Sequence, residues 1–135
     1  MEPRRVLVTG GAGFVGGALV DAYRSAAEVR ILDVDPPESV PNDVELIVGD
    51  VRARETVDRA VSGVDVVFHQ AARVSVAASL DYPLGIPPVN APRPLRLFEA
   101  ARRHAAPLVF ASSAAVYGAP APVPVPHTPP PPPTP

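Results

Sequence analysis

The chain contains no cysteine, which excludes disulfides and thiolate chemistry and leaves the redox compartment undecided. It has no tryptophan, and aromatic residues make up only 5% of it. Lysine is absent as well, since all twelve basic residues are arginines. Any reaction that needs a lysine is thereby excluded from these residues, and so is a Walker-type phosphate loop. No apolar run approaches the roughly 20 residues of a membrane span, and no signal peptide is visible, so no membrane association is expected and the cytoplasm is the expected location. A formal charge of −2 and a pI of about 5.9 give no general attraction to nucleic acid or to an anionic surface.

What the chain does have is apolar substance and proline. Hydrophobic residues account for 47% of 135 residues, enough for one domain with a buried core. There are 20 prolines, and ten of them fall in residues 119–135. A domain over residues 1–118 is therefore expected, followed by a proline-rich tail over 119–135. In that tail the run Pro129 to Pro133 suits polyproline II or disorder.

Arg5 to Thr9 is apolar and β-branched and leads into a glycine cluster. Continuous hydrophobicity of this kind fits a strand covered on both faces, as in a parallel sheet. Phe14 to Ala26 reads as a helix with Phe14, Val15, Ala18, Leu19, Ala22 and Tyr23 as its apolar stripe. Further strands are expected at Val29 to Asp33, Val44 to Val48, Val64 to His69 and Leu108 to Ser112. Further helices are expected at Arg52 to Val61 and Leu95 to His104. Between strands four and five, Pro83, Pro87, Pro88 and Pro92 imply an irregular loop, with Pro94 tolerated in the first turn of the helix after it. Strands alternating with helices imply an α/β fold, a Rossmann-type doubly wound parallel sheet of about five strands in the order 3-2-1-4-5.

The first turn carries the chemistry. Gly10, Gly13 and Gly16 recur at every third position between a strand and a helix. Gly10 permits a tight turn, Gly13 lets the backbone approach a pyrophosphate, and Gly16 lets the helix pack closely on the sheet. The N–H groups at the helix start then face the phosphates. Asp33 ends the second strand, 17 residues after Gly16. A carboxylate there accepts hydrogen bonds from an adenosine ribose and repels a 2′-phosphate, which favours NAD over NADP. Asp35 competes for this role, and a turn-capping aspartate before Pro36 and Pro37 is the alternative. No metal site is expected.

At this point the sequence resembles the extended short-chain dehydrogenase/reductase family, the NAD-dependent epimerase/dehydratase group. The segments that carry the resemblance are Thr9 to Gly16, Gly49-Asp50-Val51, His69-Gln70-Ala71-Ala72, Val89-Asn90 and Ser112 to Gly118, in family order across residues 4–118. The resemblance implies that Gly10, Gly13, Phe14, Val15 and Gly16 hold the pyrophosphate and Asp33 the ribose. It implies that Asp50 and Val51 meet the adenine, although an aspartate starting a helix is the plainer alternative. Ala71 and Ala72 would line the nicotinamide side, with His69 packed or hydrogen-bonded beneath them. Ser113 matches the family's catalytic serine, and Ser112 would be a neighbouring contact. Residues 72–90 and 125–134 look most like D-erythronate-type sugar-acid dehydrogenases.

The family's general base is a tyrosine in a Tyr-x-x-x-Lys pair. Tyr23, Tyr82 and Tyr117 are followed four positions later by Ala27, Ile86 and Ala121, so the pair is absent from these residues. The resemblance places it beyond residue 135, as if the chain were a truncated fold. Pro92-Arg93-Pro94 replaces the family's usual step, which is expected to damage the helix used for dimer packing and weighs against a family-type homodimer. The implied function is the NAD-binding portion of an oxidoreductase that acts on a sugar, nucleotide-sugar or sugar-acid substrate by hydride transfer. The alternatives are an inactive NAD-binding module and a non-functional gene fragment.

Overall fold

The computed structural model describes residues 2–72 and 93–112. The glycine turn, four of the strands and the acidic strand ends all fall in the first stretch. Ser113, the loop prolines Pro83 to Pro92, Val89-Asn90 and the tail over 119–135 lie outside the described residues.

The five strands are β1 (Arg5–Thr9), β2 (Glu28–Asp33), β3 (Val44–Val48), β4 (Val66–His69) and β5 (Leu108–Phe110). They form one parallel sheet in the order β3-β2-β1-β4-β5. The helices are α1 (Phe14–Tyr23), α2 (Arg54–Val61) and α3 (Arg93–Arg103).

Alternation along β1 divides the core. Val6 and Val8 point to one face with Val29, Ile31 and Val44, where Val20 of α1 covers them. Leu7 points to the other face with Leu32, Ile47 and Val67, beneath Val57 and Val61 of α2 and Leu97 of α3. Burial on both sides explains why β1 carries three apolar residues in a row, Val6-Leu7-Val8, rather than alternating ones.

Two details of the helices differ from the sequence reading. The inward row of α1 is Gly16, Leu19, Val20 and Tyr23, while Phe14, Val15, Ala18 and Ala22 are exposed. The rotation of the helix is set by backbone contact. A Cβ on Gly16 would lie 2.0 Å from the Gly10 carbonyl oxygen, so this position must face the turn. The helix also stops at Tyr23, where the Ala26 N–H closes a tighter turn of three residues onto the Tyr23 carbonyl at 2.9 Å. The second difference concerns Pro92-Arg93-Pro94. An eleven-residue helix starts at Arg93, with Pro94 as its second residue. A first-turn N–H has no partner within the helix, so proline costs nothing there.

Candidate functional site

The carboxyl ends of β1, β2 and β4 bring the sequence-marked residues to one edge of the sheet. Gly10 turns the chain after β1 with a φ of +72°, a conformation that favours glycine. Its N–H donates to the Leu32 carbonyl at 2.8 Å, and its carbonyl accepts the Gly13 N–H at 3.1 Å. A Cβ at Gly10 would strike the Ala71 backbone nitrogen at 2.7 Å, so the turn is pressed against the end of β4.

Gly13 differs from its neighbours. A Cβ there would meet only the Gly10 carbonyl oxygen, at 3.3 Å. The protein's own packing presses on it more lightly than on Gly10, Gly11 and Gly16, through that one carbonyl alone. It leaves a surface that a ligand's backbone-hugging group can reach. The first bond of the α1 ladder is from Gly17 N–H to Gly13 carbonyl, 2.7 Å long. The N–H groups of Phe14, Val15 and Gly16 therefore precede the ladder and are aimed out of the helix start. Gly13 supplies no side-chain cap, and the first turn holds no acidic residue. Phe14 is 98% exposed and Val15 is exposed beside it. This end of α1 suits an anion.

Asp33 stands next to that turn. One carboxylate oxygen accepts the Ala12 N–H at 3.0 Å, and the other accepts the Asp35 N–H at 3.2 Å. The second bond is the turn-capping contact that sequence reasoning kept as an alternative, and Asp33 makes both. A carboxylate has about four acceptor sites, so two bonds leave room for a pair of hydroxyls. Asp35 is exposed and contributes its backbone to Asp33.

Asp50 follows β3. Its carboxylate accepts the Arg52 N–H and the Arg52 Nε, each at 2.8 Å, and forms an ion pair with the same guanidinium. The side-chain bond to Asp50, ahead of the charge attraction, raises the Arg52 pKa above its ordinary value. Sequence reasoning passed over Arg52, although an opposite charge two residues after Asp50 was a visible signal. The Val51 side chain is in the core, so only its backbone can serve a ligand. Ala71 is half-buried and Ala72 exposed at the end of β4, and Ser112 is exposed just past β5.

Beneath the edge, Thr9 is fully buried and His69 nearly so. Thr9 Oγ1 and His69 Nδ1 are 2.6 Å apart, and the Ala71 N–H approaches the same hydroxyl at 3.4 Å. The ring stacks on Phe110 at 5.6 Å between centroids. Burial pushes the His69 pKa down to about 4, which keeps the ring neutral at pH 7. Thr9 was read only as part of the glycine motif. Its signal was a hydroxyl at the last strand position before the turn.

A groove of about 410 Å³ runs between α2 and α3, lined by Arg54, Val57, Asp58, Leu95, Arg96, Glu99 and Arg103. It shares no residue with the glycine turn, and its Arg103 and Arg54 are occupied by Asp58. Among the described residues, no group of three or more His, Asp or Glu could hold a metal ion, and no helix is long and apolar enough to cross a membrane.

Comparison with known proteins agrees with this geometry. Residues 6–135 match the NAD dependent epimerase/dehydratase family. UDP-glucose 4-epimerase of Azospirillum brasilense is 40% identical over 123 residues, which are 86% of this chain and 35% of that protein. dTDP-glucose 4,6-dehydratase of Mycobacterium tuberculosis is 35% identical over 124 residues, 84% of this chain and 38% of that one. Among solved structures, the Thermus thermophilus UDP-glucose 4-epimerase complex with NAD superposes with a TM-score of 0.76 at 41% identity, covering 84% of this chain and 39% of that one. The chain thus spans between a third and two fifths of the length of these relatives.

Proposed function

The chain belongs to the NAD dependent epimerase/dehydratase family, and from that premise we propose that its residues form the NAD-binding portion of an enzyme that moves hydride to and from a sugar-type carbinol. The observation that carries this reading is the open side of Gly13 at the uncapped start of α1, next to the Asp33 carboxylate. In this reading the N–H groups of Phe14, Val15 and Gly16 bind the pyrophosphate. Asp33 accepts from the adenosine ribose hydroxyls and repels a 2′-phosphate, which gives NAD the advantage over NADP. Asp50, already held by Arg52, and the backbone at Val51 face the adenine. Ala71 and Ala72 flank the nicotinamide side, with Ser112 next to them and Ser113 hydrogen-bonding the substrate oxygen. When bound, the nicotinamide supplies the hydride acceptor.

The substrate class follows from the relatives named above, which act on nucleotide sugars. A nucleotide sugar is therefore favoured over a free sugar or a sugar acid. General acid–base assistance contributes roughly 10²–10⁴-fold to such reactions. The 135 residues contain no Tyr-x-x-x-Lys pair, so these residues by themselves are expected to bind NAD without turnover.

A thermal melt with and without each dinucleotide tests the reading. NAD at 100 times its dissociation constant should stabilise the folded chain by about 2.7 kcal/mol. NADP should do less. Asp33→Ala should weaken NAD more than NADP, and equal losses would refute the assignment of Asp33. A cooperative melt that neither dinucleotide shifts would refute the binding site itself.

A further inference from the structure

The buried contact between Thr9 and His69 is not needed to hold the strands together, because the β1–β4 ladder already pairs these residues through the backbone. It does something more local. A hydroxyl carries one proton. The Ala71 N–H approaches the Thr9 oxygen as a donor, which leaves the hydroxyl proton free for His69 Nδ1. When the hydroxyl donates there, the neutral ring carries its own proton on Nε2. Phe110 stacks on the ring and fixes its plane. The backbone so engaged is the same Ala71 backbone that lies where a Cβ of Gly10 would have to go. Gln70 N–H adds a bond to the Thr9 carbonyl at 3.0 Å. Glycine turn and β4 end are thus braced against each other through one hydroxyl.

We propose that His69 is a positioning residue for the dinucleotide site, which accepts the Thr9 hydroxyl proton and thereby seats the Ala71 backbone against the turn at Gly10. The proposal rests on the reading of the site given above. The ring touches neither phosphate nor reacting atom in this account. Its effect is on the spacing between the pyrophosphate side and the nicotinamide side.

Two measurements on the full chain at pH 7 test it. The first is the ¹⁵N spectrum of the His69 ring. An unprotonated Nδ1 and a protonated Nε2 are expected, and a proton on Nδ1 overturns the proposal. The second is NAD affinity across four single variants and one double variant. His69→Asn places an amide oxygen near the Nδ1 position and should stay within about threefold of the parent, whereas His69→Leu, with no acceptor, should weaken binding ~10-fold. Thr9→Ser should retain affinity and Thr9→Val should lose it. The double variant Thr9→Val with His69→Leu should bind no more weakly than the worse single one. Equal affinities for His69→Leu and His69→Asn overturn the proposal. If His69→Leu does not fold, the ring spectrum of the parent protein still decides the hydrogen bond on which the proposal depends. A parent chain that binds no NAD overturns the proposal through the reading beneath it, and the spectrum distinguishes that failure from a wrong hydrogen bond.

Discussion

At the amino edge of the sheet the charged groups find each other, while the carboxyl edge leaves backbone donors and an apolar side chain open. Asp65 accepts the N–H groups of Arg4 and Arg5 at 2.7 and 2.9 Å, and these bonds, that of Arg5 first, hold its carboxyl below the usual carboxylate range. Arg5 pairs with Glu28. Arg30, buried in β2, donates to Glu45 and to the carbonyls of Arg59, Ala60 and Ser62, so that it closes the end of α2. The opposite edge holds an uncapped helix start, a glycine with a single close neighbour and an exposed phenylalanine. The difference separates two kinds of residue. Those of the amino edge hold the fold together, and in the function proposed above several of the carboxyl edge also serve the ligand.

That division can be broken or sharpened by substitution. The largest effect is expected from Gly16→Val, where a Cβ would collide with the Gly10 carbonyl oxygen at 2.0 Å. More than ~4 kcal/mol should be lost, and circular dichroism should show no cooperative transition. At Gly16 both kinds of demand meet. Next comes Arg30→Leu, which strands three carbonyls at the end of α2. Urea denaturation should report a loss of about 3 kcal/mol, with the NAD dissociation constant of the folded fraction unchanged.

Acid should act through the carboxyl edge. The His69 ring protonates near 6.5 when unfolded and resists protonation until about 4 when folded. Between those values the unfolded state binds the extra proton, so stability falls as pH drops through the window and is retained above it. The loss should approach about 3 kcal/mol by pH 4 in denaturant titrations, and His69→Asn should remove this part of the slope. The smallest change in stability belongs to Gly13→Ala. With only one contact at 3.3 Å, it should cost less than ~1 kcal/mol, yet calorimetry should find NAD bound ~10-fold more weakly. A large loss of stability with intact affinity would place Gly13 with the amino-edge residues instead.

The same contrast explains what could be read from the sequence. Strand order was legible because short strands rich in Val, Ile and Leu alternate with glycine turns and helical segments. The glycine turn was legible because its spacing answers to backbone geometry alone. The inward face of α1 was misread because hydrophobic periodicity weighs side chains, whereas the helix is oriented by Gly16, which has none. The two details at Asp33 and Asp50 depended on partners of different reach. The Ala12 N–H arrives from 21 residues away, and Arg52 from two. Arg30 could not be found at all from local pattern, because its three carbonyls lie about 30 residues downstream.

One consequence concerns time. β1 is the middle strand, and its partner β2 follows it closely, but Thr9 meets His69 only across 60 residues of chain. Contacts between distant residues form slowly, because a long loop must close first. As the chain emerges during synthesis, β1, β2 and β3 can pair before β4 has been made. Gly10 then waits for Ala71. The proposed seat for the dinucleotide is therefore expected to be complete only once β4 has joined the sheet.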